Sequence, residues 1–186
     1  MNAIDYIEQK HQFVLSEEVQ EHLSTLKVFD NYIIPYMYKD LVILKGCGKC
    51  KVFTSIEYPN TWDWVDLNST FAVIYTHHFF KRYRKRIPLT RTQNLNIRCN
   101  KQDRFLDMVQ TLWGINPYLA ICGSDMDGVL NKKGQHFYIC EDGLIPITVL
   151  TPTILRCDTF LSADILTGKQ GQLWYNMYKH LYEQNK

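Results

Sequence analysis

Apolar residues with helical spacing mark four stretches of the chain. They recur every three or four positions between residues 16 and 26, between 103 and 113, and between 166 and 182. The first stretch begins at Ser16, which two acids follow; this order is typical of a helix start because oxygen and negative charge both satisfy exposed N–H groups. The remaining stretch with this spacing, at residues 77–87, carries both apolar and basic residues. The pattern therefore predicts four helices, one of them strongly basic.

Short apolar runs bounded by Gly, Pro, Asn or Asp predict strands in the rest of the chain. The runs at 41–44 and 52–56 flank a Gly-Cys-Gly turn at 46–48, which predicts a β-hairpin. A run at 71–75 leads directly into the basic helix. Four more runs predict a C-terminal meander, at residues 118–122, 135–140, 144–150 and 154–160. Because the strands are clustered, we expect an α+β fold in which an antiparallel sheet packs against several helices.

The chain has the length and composition of one folded domain. It has 186 residues, of which 46% are hydrophobic and 22% charged, which is enough apolar side chain to bury a core. We expect a main body from residue 31 to 186 and a helical N-terminal extension from 1 to 30. No apolar run approaches the roughly 20 residues that cross a bilayer, and no signal-peptide pattern is present. These features predict a cytoplasmic protein without a membrane partner.

Two of the six cysteines, Cys47 and Cys50, are separated by two residues, a spacing that can supply half of a tetrahedral zinc site. No second Cys pair has this spacing, and the same residues also fit a hairpin turn. The other cysteines lie singly in apolar or strand-like stretches, as reduced thiols commonly do. We therefore predict no metal and no other cofactor.

The basic residues are concentrated between His77 and Arg104. This window holds nine of the 21 Lys and Arg residues and one of the 19 Asp and Glu residues, although the whole chain has a net charge of only +2. A basic stripe on an acidic background is typical of a surface that meets an anion, with phosphate as the first candidate. We expect RNA or another polyanion to bind here, so nucleic-acid binding is the leading function.

At about 100° per residue, the basic helix divides into distinct faces. The apolar face, which must pack inward, comprises Phe79, Phe80, Tyr83 and Ile87. His78, Arg82 and Arg86 follow at four-residue steps and form a ridge beside it. Imidazole titrates near neutral pH, and guanidinium keeps its charge and binds phosphate in a bidentate manner, so this ridge is the predicted catalytic group. The other predicted anion-binding residues are Lys81, Tyr83, Arg84, Lys85, Arg91 and Arg98.

A strand, then a helix of His-x-x-x-Arg-x-x-x-Arg type, then a later antiparallel meander resembles the barnase/RelE-like superfamily of bacterial ribonucleases and toxins. The resemblance covers residues 71–160. It implies metal-independent RNA cleavage, in which His78 deprotonates the ribose 2′-OH or protonates the leaving oxygen and the two arginines stabilise the phosphate. Tyr83, or another of the 12 tyrosines, is then expected to stack on an unpaired base. The sequence leaves open whether His77 or His78 is the working histidine.

A protein without catalytic activity is the first alternative. In this hypothesis the basic stripe contacts an acidic protein partner, because a run of charge is also typical of interaction surfaces. The stripe has a second possible partner within the chain, the acidic segment from Glu8 to Asp30, which would fold over it and neutralise it.

The third hypothesis is a phosphatase. The phrase Asp125-Met126-Asp127-Gly128 after an apolar run resembles the first motif of the haloacid-dehalogenase-like phosphatases. The resemblance implies a Mg²⁺-dependent reaction, in which Asp125 attacks phosphorus and Asp127 handles the proton of the leaving group. That motif normally opens a larger parallel fold, and a turn rich in Asp and Gly explains the same residues.

Overall fold

The structure is a computed structural model of the chain. It describes residues 2–30, 33–46, 48–67, 70–87 and 136–180, and the backbone of 118–120. Four α-helices lie in this part of the chain: α1 (Ala3–Val14), α2 (Glu17–Thr25), α3 (His77–Arg86) and α4 (Gly168–Tyr178). None of these described helices has the length and apolar character that a membrane span requires.

Ten described strands pair in one sheet. In chain order they are β1 (Ile34–Tyr38), β2 (Leu41–Gly46), β3 (Lys49–Glu57), β4 (Trp62–Leu67), β5 (Ala72–Tyr75), β6 (Tyr118–Ala120), β7 (His136–Cys140), β8 (Gly143–Thr151), β9 (Ile154–Cys157) and β10 (Leu161–Ser162). Nine lie side by side in the order β1-β2-β3-β4-β5-β9-β8-β7-β6, and β10 pairs with β8. The predicted α+β class with a mostly antiparallel sheet is confirmed.

Two antiparallel meanders, β1–β5 and β6–β9, join where β5 and β9 run parallel. Ala72 faces Ile154 and Tyr75 faces Cys157 across this pair, whereas the other described strand pairs are antiparallel. Parallel strands end at the same edge of a sheet. The carboxyl ends of β5 and β9 therefore lie together at the edge where α3 begins.

The two faces of the sheet bury different helices. The layer between one face and α3 is rich in aromatic rings: Phe53, Trp64, Tyr75 and Tyr138 from the strands, Phe79, Phe80 and Tyr83 from α3, and Phe160. On the opposite face α1 and α2 cover the first meander, with Ile7, Val14 and Val19 buried. Helix α4 packs on that same opposite face, over β7 and the start of β8. Residues of the predicted N-terminal extension thus supply part of the core.

The structure confirms the predicted hairpin and contradicts the predicted contact between the acidic segment and the basic helix. The predicted hairpin is confirmed, since Gly46 faces Lys49 across the turn between β2 and β3. The idea that the acidic segment from Glu8 to Asp30 covers the basic helix is wrong, because α1 and α2 lie on the sheet face opposite α3. The predicted helix at 103–113 lies outside the described residues.

Candidate nucleic-acid interface

Helix α3 begins with a capped and anchored turn. Thr76 is the N-cap, and its hydroxyl accepts a hydrogen bond from the Phe79 N–H at 3.2 Å. The next residue, His77, donates its backbone N–H to Oδ1 of Asp63 in β4 at 2.9 Å. The cap and the carboxylate satisfy two of the N–H groups that a helix start leaves exposed. Strand β4 therefore fixes the position of His77.

Three aromatic rings form the inward face of α3. Phe79, Phe80 and Tyr83 are buried, and the centroid of the Tyr83 ring lies 4.8 Å from that of Phe160. The Tyr83 hydroxyl donates to Oδ2 of Asp142 at 3.2 Å. With 5% of its surface exposed, Tyr83 does not offer a ring face to a ligand. The prediction that Tyr83 stacks on a base is therefore wrong, because its place on the helix turns it into the core.

The predicted ridge of His78, Arg82 and Arg86 divides into two parts. Arg82 donates its Nε–H to Nε2 of His78 at 3.3 Å, and both side chains are exposed. Arg86 is partly buried, and its guanidinium donates to the main-chain oxygen of Phe160. Arg86 thus anchors α3 to the segment before β10, and His78 and Arg82 remain as a surface pair.

A cavity of about 300 Å³ lies beside a different face of α3. Its lining consists of Trp62, His77, Phe80, Lys81, Arg84 and Lys85. The centroid of the Trp62 ring lies 5.7 Å from that of His77 and 5.5 Å from that of Phe80. The lining therefore combines aromatic rings with three cationic side chains. We call this group the α3 cavity.

Two cations of the α3 cavity keep their charge unpaired within the described part of the chain. Lys81 and Lys85 are exposed, and the ion pairs formed among described residues include neither of them. Exposed ammonium groups are strongly hydrated point charges that bind phosphate readily. The cavity is thus an electropositive site next to an aromatic ring.

Asp63 places a carboxyl group next to His77. Burial raises the pKa of Asp63, and the nearby negative charge of Asp158 adds to the rise. Hydrogen bonds from the His77 backbone N–H and the Tyr58 hydroxyl oppose it. An imidazole near a carboxyl group can accept and return a proton. Of the two histidines left open by the sequence, His77 is the one that borders the cavity, and His78 is paired with an arginine instead.

No family model, curated protein or solved structure matches this chain. The resemblance to the barnase/RelE-like superfamily accordingly stays a prediction.

Several predicted site residues lie outside the described residues. These are Arg91, Arg98, Cys47, Asp125 and Asp127. Cys50, the described member of the Cys47/Cys50 pair for which we predict no metal, is an exposed thiol that forms no disulfide. Within the described ranges no group of three or more His, Cys, Asp or Glu side chains is placed to hold a metal ion.

The α3 cavity brings together three of the predicted anion-binding residues, Lys81, Arg84 and Lys85. They lie four, seven and eight positions after His77, and residues at this spacing share one face of a helix. The sequence therefore contained this grouping. Trp62 had no comparable signal, because it joins the site from β4 and only the pairing of β4 with β5 places it beside α3.

Proposed function

We propose that the protein binds single-stranded nucleic acid, RNA foremost, in the α3 cavity. The observation that carries the proposal is Trp62 beside a cluster of cations, among which Lys81 and Lys85 pair with no described acid. Such cations neutralise backbone phosphates, and the counterions condensed on the nucleic acid are then released. The carboxylates of an acidic protein partner would engage the cations and leave the ring unused, so RNA fits the lining better than the interaction-protein alternative.

A single strand suits the cavity better than a duplex. Trp62 is partly exposed, so its ring has free surface to offer. In a duplex the faces of each base are covered by its neighbours, whereas an unpaired base can leave the stack and lie on an aromatic side chain. We therefore expect single-stranded RNA to bind more tightly than a duplex of the same sequence.

Replacing Trp62 with Ala is expected to weaken the binding of single-stranded RNA by about tenfold, since one stacked base contributes about 1–3 kcal/mol. The slope of log Kd against log salt concentration stays unchanged, because no phosphate contact is removed. Fluorescence anisotropy of an end-labelled oligonucleotide, titrated at several salt concentrations, measures both quantities.

Two further variants control this experiment. Trp62→Phe keeps a ring and is expected to retain most of the affinity, which shows that an aromatic ring at this position is sufficient. Tyr175→Ala removes a ring that is 52% exposed on α4, on the other sheet face, and is expected to bind as the wild type does. Equal affinity of Trp62→Ala and wild type would remove Trp62 from the interface.

Metal-independent RNA cleavage is the second candidate function, favoured by the placement of His77 at the cavity, where the bond from its backbone N–H to Asp63 fixes the position of the residue. An imidazole there is suited to remove the proton from a ribose 2′-OH, whose oxygen attacks the adjacent phosphorus while the bond to the 5′ oxygen breaks. The cations of the cavity stabilise the charge on the phosphate oxygens. The leaving oxygen takes its proton from solvent.

Labelled single-stranded RNA incubated with the protein in excess EDTA tests for cleavage. We expect His77→Asn to abolish strand scission and His78→Asn to leave it in place. The reverse pattern would return the catalytic role to the predicted ridge. Intact RNA with the wild-type protein would reduce the function to binding.

A further inference from the structure

A second cavity, with a volume of about 730 Å³, shares no lining residue with the α3 cavity. This volume lies within the range of sites that take organic ligands. The lining includes Lys49 and Cys50 at the exposed start of β3, and the buried side chains of Asp66, Tyr75 and Tyr138. We call it the sheet cavity.

Asp66 is a buried acid in the lining of the sheet cavity. Asp66 is 8% exposed, and its Oδ1 atom has no hydrogen-bond partner among the described residues. Burial raises the pKa of Asp66 to about 6, although the positive charge of Lys51 opposes the rise. A buried carboxyl oxygen without a partner is costly, because it has lost water and gained no bond. A ligand that donates a hydrogen bond to this oxygen removes the cost.

Two tyrosines complete the buried end of the cavity. Tyr75 and Tyr138 are 4% and 7% exposed, and burial raises the pKa of both phenols, with the negative charge of Asp66 adding to the rise. Both side chains are therefore neutral rings whose hydroxyls can donate or accept. Lys49 supplies a cation at the exposed end. The cavity thus has the Asp66 carboxyl with Lys51 near it at the buried end and the Lys49 cation at the exposed end.

We propose that the sheet cavity binds a guanine nucleotide, with the base at Asp66 and the phosphate at Lys49. Guanine carries adjacent N1–H and N2–H donors on one edge, which match the two oxygens of an ionised carboxylate. This site does not depend on the proposed RNA-binding function, because its residues are separate from the α3 cavity.

Isothermal titration calorimetry of the full chain with GMP, IMP and AMP at pH 7.5 tests the proposal. GMP is expected to bind, and IMP, which lacks the N2 amino group, to bind about tenfold more weakly. AMP offers no N1–H and is expected to give no measurable heat. Equal affinities for the three nucleotides, or no binding of GMP, would overturn the proposal without any variant being needed.

The variant Asp66→Asn assigns the base contact. It is nearly isosteric and removes a buried charge, so it is expected to fold, and its thermal transition checks this. GMP affinity falls by about tenfold or more, because the amide offers one acceptor and opposes the second donor with its own N–H. Unchanged affinity in a folded Asp66→Asn protein would place the base elsewhere and overturn the proposal.

The pH dependence gives an independent readout. Lys51, Tyr75 and Tyr138 face Asp66 from β3, β5 and β7. Guanosine is the probe here, because the phosphate of GMP itself titrates near pH 6. Lowering the pH from 7.5 to 5 protonates Asp66 and is expected to weaken guanosine binding, and Asp66→Asn removes this dependence. A pH dependence that persists in Asp66→Asn would contradict the assignment.

The two proposed sites are distinguished by cross-controls. Charge reversal at Lys81 and Lys85 of the α3 cavity is expected to leave GMP affinity within about twofold of wild type, since these lysines lie outside the sheet cavity. Asp66→Asn is likewise expected to leave the salt-dependent part of RNA binding unchanged. Failure of GMP binding with intact RNA binding therefore removes only the sheet-cavity site.

Discussion

Reversing both lysine charges in the α3 cavity, Lys81→Glu with Lys85→Glu, is expected to weaken single-stranded RNA binding by about 100-fold at low salt. Each substitution removes a cation that displaces counterions from the phosphates, and each adds a charge that repels them. Both side chains are exposed, so the fold is expected to tolerate the change. Anisotropy titrations of the double variant and the wild type measure the loss.

The salt dependence identifies the cause of that loss. Two phosphate contacts removed from a single strand reduce the slope of log Kd against log salt concentration by roughly 1.4. The matched control is Lys169→Glu with Lys179→Glu, which makes the same change of net charge at exposed positions at the two ends of α4. We expect the control to bind within about twofold of wild type. An equal loss in both double variants would show that net charge, and not the α3 cavity, governs binding.

Replacing Gly143 with Ala is expected to lower the free energy of unfolding by about 3 kcal/mol or more. Gly143 has a φ of +152°, and a Cβ added there would overlap the main-chain oxygen of Leu161 and lie 2.9 Å from Cα of Ser162. These atoms belong to the main chain of β10, so the clash is relieved only by separating β10 from β8. Urea denaturation followed by circular dichroism measures the loss.

A second glycine provides the control for backbone strain. Gly168 has a φ of +53°, but open space surrounds the position of its missing Cβ. Gly168→Ala is therefore expected to cost about 1 kcal/mol, the strain of the left-handed conformation alone. The same small loss at Gly143 would show that β10 is free to move away. The β8–β10 contact matters for the position of α3, because the main-chain oxygen of Phe160, just before β10, accepts a hydrogen bond from the guanidinium of Arg86.

The elements set by local sequence were predictable from it. The turn at 46–48 selects a hairpin whatever lies elsewhere in the chain. Helix α3 was equally clear, because Phe79, Phe80 and Tyr83 repeat at helical spacing and all three are buried. Helix α1 gave a weaker pattern, since the buried His11 interrupts its apolar stripe.

Elements whose environment is set by tertiary packing were not predictable. Strand β4 is covered on both faces, and an acid on each face, Asp63 and Asp66, breaks the alternation that reveals a strand. The parallel pairing of β5 with β9 joins distant parts of the chain and leaves no local trace. The same holds for the two cavities. Trp62 borders one of them, and the unpartnered Oδ1 of Asp66 belongs to the other, and only the folded sheet places them there.

Photo-crosslinking locates bound RNA on the protein. An oligonucleotide that carries 5-iodouridine is irradiated with the full chain in EDTA, and the attached peptide is sequenced by mass spectrometry. Iodouridine reacts preferentially with aromatic side chains that stack on it, so we expect a salt-sensitive crosslink at Trp62 or His77. Crosslinks confined to α4 or β1, or a yield indifferent to salt, would contradict it.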